Sequence, residues 1–410
     1  PTLDADPLWA LRALRVPGAW AFSEERGRPA RGSGVVVAQP DTGTTDHPEL
    51  AGVQLVEGFD VLDDDADATD PLGWGSPGHG TATGSVLVSP SSRVITGSAP
   101  RARHLPVRAV ESVVRITQVS VARAIDGAVA RGAHVVTMSL GGIPAFSLHR
   151  ALRRAVAADV LVLAAAGNCV RFVVWPARYD DCIAVGGSTV HDGTWRGSSR
   201  GAAVDVCAPA ENVLRAVVPA GGAEVQQGQG TSFAVALTAG VAALWLAHHG
   251  RANLVAAAHE RGETLQEMFR RLLRATARRP EGWDPFAYGA GIVDAEALLR
   301  APLDLGGGRE AAAPPSDPAV RAARSVQSLV AEVAGPEAVQ ADVDWHRFGP
   351  EIATALLVDR LAGLREEGPP REAGAAAPPV SADLAAAVRE PRLRAALGLP
   401  GTGGTWEPAP

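Results

Sequence analysis

Lysine is absent from this 410-residue chain, so each of its 38 basic side chains other than histidine is arginine. Alanine, glycine and proline are abundant, and together these biases read as genome composition rather than as a basic surface. The formal net charge of -7 excludes a general nucleic-acid binder. The densest basic cluster, Arg101, Arg103, His104 and Arg108, reads as a solvated strand edge. Cysteine is scarce, with only Cys169, Cys182 and Cys207. At least one must stay unpaired, which excludes a disulfide framework, and none has zinc-type spacing with histidines. No apolar run approaches the ~20 residues of a membrane span, and no signal-peptide pattern opens the chain at Pro1.

What is present changes character near residue 303. Before it, short β-branched runs alternate with helix-like segments, the pattern of an α/β fold with a mainly parallel sheet covered by helices. The runs are Val35-Val36-Val37, Val135-Val136-Thr137, Val160-Leu161-Val162-Leu163, Ile183-Ala184-Val185 and Val204-Asp205-Val206. They are apolar throughout, as strands buried on both faces should be. Residues 119–131 and 148–157 carry apolar side chains at helical spacing, and 232–246 reads as a helix buried through the core. After 303 the chain is rich in Ala, Pro, Gly and Arg. Gly306-Gly307-Gly308, Ala313-Pro314-Pro315 and Gly368-Pro369-Pro370 read as linker. Three helices are expected among them. Val326, Leu329, Val330 and Val333 share one face of the first. Ile352, Leu356 and Leu361 do so in the second, with Pro350 in its first turn, and Ser381 caps a third that Pro391 ends or kinks. The expected division is 1–302 as one domain and 303–410 as a linker and helical extension.

Three glycine-flanked islands carry the chemistry: Asp41-Thr42-Gly43, His79-Gly80-Thr81 and Gly230-Thr231-Ser232. A serine hydroxyl becomes nucleophilic when an imidazole takes its proton, and the imidazole needs a carboxylate to fix its tautomer. Asp41 follows a strand and should lie at the carboxyl edge of the sheet, where open α/β sheets place their sites. His79 sits where a helix begins. Ser232 opens the buried helix, whose positive end favours negative charge developing on a substrate. Asn168, in Ala164-Ala165-Ala166-Gly167-Asn168, offers a side-chain amide as an oxyanion donor.

With these residues the chain resembles the subtilisin-like serine proteases over roughly residues 9–300. Further similarity lies in His47-Pro48-Glu49-Leu50, Met138-Ser139-Leu140-Gly141-Gly142, Trp175-Pro176-Ala177-Arg178-Tyr179, Ala208-Pro209 and Gly289-Ala290-Gly291. The resemblance implies a subtilisin-like fold and a serine endopeptidase. Asp41 then orients the base His79, Ser232 is the nucleophile, and Asn168 serves the oxyanion hole. It further implies that Ser139, Leu140 and Gly141 pair with a peptide substrate, and that no cofactor is required for catalysis. The chain departs from the pattern at Phe233, where methionine is usual, and at Ala236, where proline is. Val174 stands where many relatives have glycine at the floor of the primary specificity pocket, which would favour small residues before the cleaved bond.

Asp63, Asp65, Asp67 and Asp70 crowd the loop before His79 and suit a structural calcium, as some relatives carry there, or a solvated acidic turn. Cys169–Cys182 would clamp the specificity loop, Cys207 competes for either partner, and three buried thiols are the plain alternative. The same catalytic set would serve a transpeptidase or macrocyclase, and an inactive peptide-binding module is the third class. The partner expected is a polypeptide substrate, with a pro-segment or a protein partner for the extension; no nucleic acid and no membrane span are expected. A processed, secreted bacterial enzyme is expected, with a cytoplasmic one as the alternative.

Overall fold

Each β-branched run contributes to a strand, although Val204 and Asp205 precede the one that begins at Val206, and the β-structure extends well beyond these runs. A computed structural model describes residues 6–115, 118–170, 172–220, 222–306, 318–361 and 380–400. Its strands are β1 Val36–Asp41, β2 Gln54–Leu55, β3 Phe59–Asp60, β4 Arg103–Arg108, β5 Val114–Arg115, β6 Val135–Met138, β7 Gly141–Gly142, β8 Leu161–Ala165, β9 Ile183–Ser188, β10 Val206–Pro209, β11 Val213–Val217 and β12 Glu224–Gly228. The central sheet runs β10-β9-β8-β6-β1-β4-β2, with β3 also on β4. Its pairings are parallel. This is the mainly parallel, helix-flanked α/β sheet expected from the sequence. After β1 the chain builds β2–β4 on one side and β6–β10 on the other, so the strand order reverses at β1. The carboxyl end of such a strand is where a crevice opens.

Alternating side chains of these strands feed two apolar layers. Val35, Val37, Leu161, Leu163, Ile183 and Val185 pack with the core helix Thr231–His249. Val36, Ala38, Val136, Met138 and Val162 pack with the helices Val119–Ala130 and Phe146–Ala157. The core helix is 19 residues long and apolar enough to cross a membrane, contrary to the sequence expectation, yet its apolar window is buried inside the protein. Its length comes from residues that are needed to fill the sheet's face.

The basic cluster is not a uniform solvated edge. Arg101 and Arg103 are exposed, whereas His104 and Arg108 are buried. β4 lies inside the sheet, and every residue of it after Arg103 is buried. Arg108 is compensated there by Asp60 and Asp63.

The described residues beyond 317 place Val326, Leu329, Ile352, Leu357, Leu384 and Leu393 in the layer containing Leu148 and Trp175. The helix Pro318–Ala334 buries Val326, Leu329 and Val330. The next helix is Trp345–Leu361, so Pro350 lies inside it rather than in its first turn. Asp344 Oδ1 caps the earlier start by accepting from the N–H groups of His346 and Arg347. Ser381 caps the helix Ala382–Ala387, as expected, by accepting from the Leu384 N–H. Pro391 begins a further helix, Pro391–Ala396, instead of ending one, because Glu390 caps it and proline suits the first helical position. Gly307, Gly308, Ala313-Pro314-Pro315 and Gly368-Pro369-Pro370 lie outside the described residues, as does the side chain of Leu361.

Candidate active site

Asp41 is the last residue of β1 and His79 the first of the helix His79–Val88. The two elements meet because glycines let them. A Cβ on Gly80 would lie 2.0 Å from the Gly43 carbonyl oxygen, and Gly43 itself adopts a φ of +96°. His79 Nδ1 is then 2.7 Å from Asp41 Oδ1, with both side chains buried. A carboxylate at Nδ1 directs Nε2 to act as the base. Asp41 Oδ1 also accepts from the Thr42 N–H at 2.8 Å, which fixes the carboxylate's rotation.

Ser232 is the second residue of the core helix, where backbone N–H groups have no intrahelical acceptor. Its Oγ lies 3.5 Å from the Ser139 carbonyl, and Ser139 Oγ donates to the Ser232 carbonyl at 3.0 Å. Asn168 Oδ1 accepts from both the backbone N–H and the hydroxyl of Thr231, at 2.9 and 2.8 Å. Two donors on one oxygen fix the amide's orientation. They leave Asn168 Nδ2 on the side of Gly230, where a Cβ would lie 3.4 Å from it.

Ser139, Leu140, Gly141, Asn168, Val174 and Ser232 line one cavity of about 40 Å³. Val174 packs against both glycines of its wall: Cγ2 lies 2.5 Å from where a Gly141 Cβ would be, and Cγ2 and Cγ1 lie 3.1 and 3.2 Å from that for Gly167. The stretch Ser139–Gly141, expected to pair with a peptide, meets the chain's own backbone. Gly141 N–H donates to the Val113 carbonyl at 2.8 Å, beside the parallel β5–β7 pair. A peptide strand pairing at the Gly141 N–H must displace Val113 from it. A larger cavity, about 660 Å³, lies between residues 44–58 and β4 and is lined by Leu50, Val53 and His104 rather than by the catalytic candidates.

The acidic loop does not converge on a cation site. Among the described residues, no group of three or more His, Cys, Asp or Glu is placed to hold a metal ion. Asp63 pairs with Arg108 at 2.6 Å. Asp65 and Asp67 each accept from a backbone N–H two residues on. Asp70 turns inward: Oδ2 accepts from Thr42 Oγ1 at 2.6 Å and the Gly78 N–H at 2.7 Å, and Oδ1 from the Leu72 N–H. Asp70 thereby pins the turn before His79, a structural role the sequence did not suggest. These carboxylates meet donors and a guanidinium, so they do not fit calcium. The three cysteines are free, with Cys169 exposed and Cys182 and Cys207 buried. Burial pushes both buried thiols far above the ordinary range.

Asp41 and His79 meet at the carboxyl end of β1, while Ser232 lies against Ser139, just beyond β6, and Asn168, just beyond β8, holds Thr231. The family model described as the subtilase family matches residues 32–291, and the chain belongs to that family. Thermitase of Thermoactinomyces vulgaris is 36% identical over 254 residues, covering 60% of this chain and 86% of that protein. Subtilisin BL of Lederbergia lenta is 31% identical over 298 residues, covering 71% and 98%. Among solved structures, a protease from Pseudoalteromonas arctica PAMC 21717 superposes with a TM-score of 0.59 at 25% identity, over 70% of this chain and 93% of that one. The protein is a subtilisin-like serine endopeptidase acting on polypeptides.

Proposed function

We propose that peptide hydrolysis proceeds through an acyl-enzyme on Ser232. His79 takes the hydroxyl proton as Ser232 Oγ attacks the scissile carbonyl carbon. It returns that proton to the leaving amine as the C–N bond breaks. Water then repeats the sequence and releases the acid. Asp41 holds the imidazole tautomer and stabilises the imidazolium, while Asn168 Nδ2 and the Ser232 N–H receive the oxyanion. The observation that carries the reading is the 2.7 Å Asp41–His79 contact at the sheet edge. The oriented amide of Asn168 supports it.

The chemistry uses side chains and backbone alone, and calcium at residues 63–70 is not part of it. The cavity of about 40 Å³ beside Val174 supports selection of a small side chain before the cleaved bond. Residues 1–302 act as the peptidase unit in this reading, and 303–410 as an extension whose helix Pro318–Ala334 packs against it. Export from a bacterial cell after processing belongs to the same proposal, and the intact mass compared with the full reading frame tests it.

A fluorophosphonate probe should label the wild type and not Ser232→Ala. Absence of labelling in the wild type would instead mark an inactive binding module. Peptide turnover with and without an added amine tests the acceptor: hydrolysis products alone support the endopeptidase, and amide products would mark a transpeptidase.

A further inference from the structure

Beneath the Asp41–His79 pair lies a line of buried polar side chains in a layer that is otherwise apolar. Val35, Val37, Gln39 and Asp41 share one face of β1 by strand alternation, and Val35 and Val37 pack in the same apolar cluster as Ala82 and Val86. Gln39, Thr83 and His104 are each buried to 3% exposure or less. A buried amide costs stability unless its hydrogen-bonding capacity is met, and here it is met on every side. Gln39 Nε2 donates to the Gly80 carbonyl at 2.8 Å and to Thr83 Oγ1 at 2.7 Å. Gln39 Oε1 is 2.9 Å from His104 Nε2. Because the Gly80 oxygen can only accept, the amide's orientation is fixed, and His104 must carry its proton on Nε2. Thr83 receives from Gln39, so its own hydrogen is directed elsewhere. The His79 carbonyl at 3.0 Å and Asp41 Oδ2 at 3.3 Å are in reach.

We propose that Gln39 is a positioning residue for this active site, held by His104 and acting through Thr83 and Gly80. It stands two residues before Asp41 on the strand that bears the acid, and it grips the first turn of the helix that bears the base. Strand and helix are thereby joined independently of the Asp41–His79 hydrogen bond. Thr83 adds a hydroxyl beside the carboxylate oxygen that His79 does not use. Small errors in the relation of acid, base and nucleophile are costly, with ~1 Å of misplacement worth about 10²-fold in rate. This inference rests on the serine endopeptidase reading.

The test compares Gln39→Leu, Thr83→Val and Thr83→Ser with the wild type and Ser232→Ala, on one peptide substrate. The value of kcat is taken per active site titrated to completion with fluorophosphonate, so that unfolded protein is not counted. Gln39→Leu and Thr83→Val should each lower kcat at least tenfold with KM within twofold, and Thr83→Ser should restore kcat to within threefold of wild type. That pattern is not expected from a loss of stability, which would lower the number of titrated sites and not the turnover of each. Should Gln39→Leu fail to fold, the contrast between Val and Ser at position 83 decides alone. Unchanged kcat in Thr83→Val, an equal loss in both Thr83 variants, or a change confined to KM overturns the inference. In those cases an active wild type and a dead Ser232→Ala leave the endopeptidase reading standing. A wild type that neither labels nor turns over removes both.

Discussion

Val174→Ala should convert a small-residue protease into one that accepts branched aliphatic side chains before the cleaved bond. Val174 is almost fully buried and faces the cavity shared with Gly141, Gly167, Asn168 and Ser232. Val174 Cγ2 lies 2.5 Å from where a Cβ on Gly141 would be and 3.1 Å from that on Gly167, so its side chain fills space between these two glycines. A leucine side chain brings three further carbons and must push Val174 aside. The wild type should therefore favour alanine over leucine at this position by at least tenfold in kcat/KM, within the 10- to 200-fold range that such pockets reach per carbon. Truncation to alanine vacates two carbons. At about 0.8 kcal/mol each, the substrate's leucine regains about 1.6 kcal/mol, an ~15-fold swing of the leucine-to-alanine ratio.

The assay is kcat/KM for a set of peptides that differ only in that residue, Ala, Leu and Phe, with a common chromogenic leaving group. Stability is followed alongside, because two buried methyls lost from a packed wall should cost about 2 kcal/mol. A wild type that prefers phenylalanine, or a ratio that does not move in Val174→Ala, would refute the assignment of this cavity as the specificity pocket.

Asn168→Ala should lower kcat by ~10²–10³ with little change in KM, a magnitude known from the corresponding donor of subtilisin rather than worked from this structure; steady-state kinetics check it. Asp70→Ala strands the donors of Thr42, Gly78 and Leu72 and should cost about 2–4 kcal/mol, read by denaturant titration. Chelation should leave Tm unchanged, and a fall on chelation that disappears in Asp63→Asn would contradict the account of the acidic loop. Acid should destabilise the fold through His104, whose pKa burial lowers to about 4. The unfolded chain takes up this proton near pH 6.5 and the native state only near 4, so stability is complete above 6.5 and falls as pH drops to 4. About 3 kcal/mol is lost over that window, and His104→Gln should flatten the pH profile of unfolding free energy there by about one proton. Glu332→Ala leaves the Arg178 guanidinium, 2.6 Å away and almost fully buried, without its carboxylate. About 2 kcal/mol should be lost, and thermal melting in the full chain measures it.

The catalytic candidates were legible because their positions impose backbone demands that survive in the sequence. Gly80 is needed where the helix meets the Gly43 carbonyl, Gly43 where φ is positive, and an apolar run must follow Ser232 if its helix fills the sheet. Gln39 and Thr83 were not legible. A single polar residue at the end of an apolar strand reads as the end of that strand, and only the packing of the helix His79–Val88 over β1 gives the amide its partners. His104 was misread because charge patterning counts it with its arginine neighbours, whereas only Arg103, the first residue of β4, is exposed and both faces of the strand are covered from His104 on. The acidic loop misled for a related reason: spacing registers a density of carboxylates but not Arg108, more than forty residues on, arriving through β4 to pair with Asp63 as well as Asp60. Pro350 drew attention as a helix start, while the stronger signal was Asp344, whose carboxylate caps the helix six residues earlier.

The extension carries a consequence for the pocket that the matched family segment, which ends at residue 291, would not reveal by itself. Val174 opens the segment Trp175–Tyr179, and that segment is held from behind by the helix Pro318–Ala334. Trp175 Nε1 donates to Ser325 Oγ at 3.2 Å, Arg178 donates to Ser328 Oγ at 3.0 Å, and the Arg178 guanidinium forks onto both oxygens of Glu332. The same helix buries Val326, Leu329 and Val330 in the layer that contains Val174 and Trp175. The wall that narrows the cavity is therefore packed between the substrate side and a helix from beyond the matched segment. Its rigidity draws on contacts from both. A pocket this small discriminates only if its wall cannot yield, since one carbon of slack gives back about 0.8 kcal/mol. If Val174 sets the selectivity as proposed, the helix behind Arg178 supplies part of that resistance, and Glu332→Ala should then relax the alanine-over-leucine preference measured by kcat/KM.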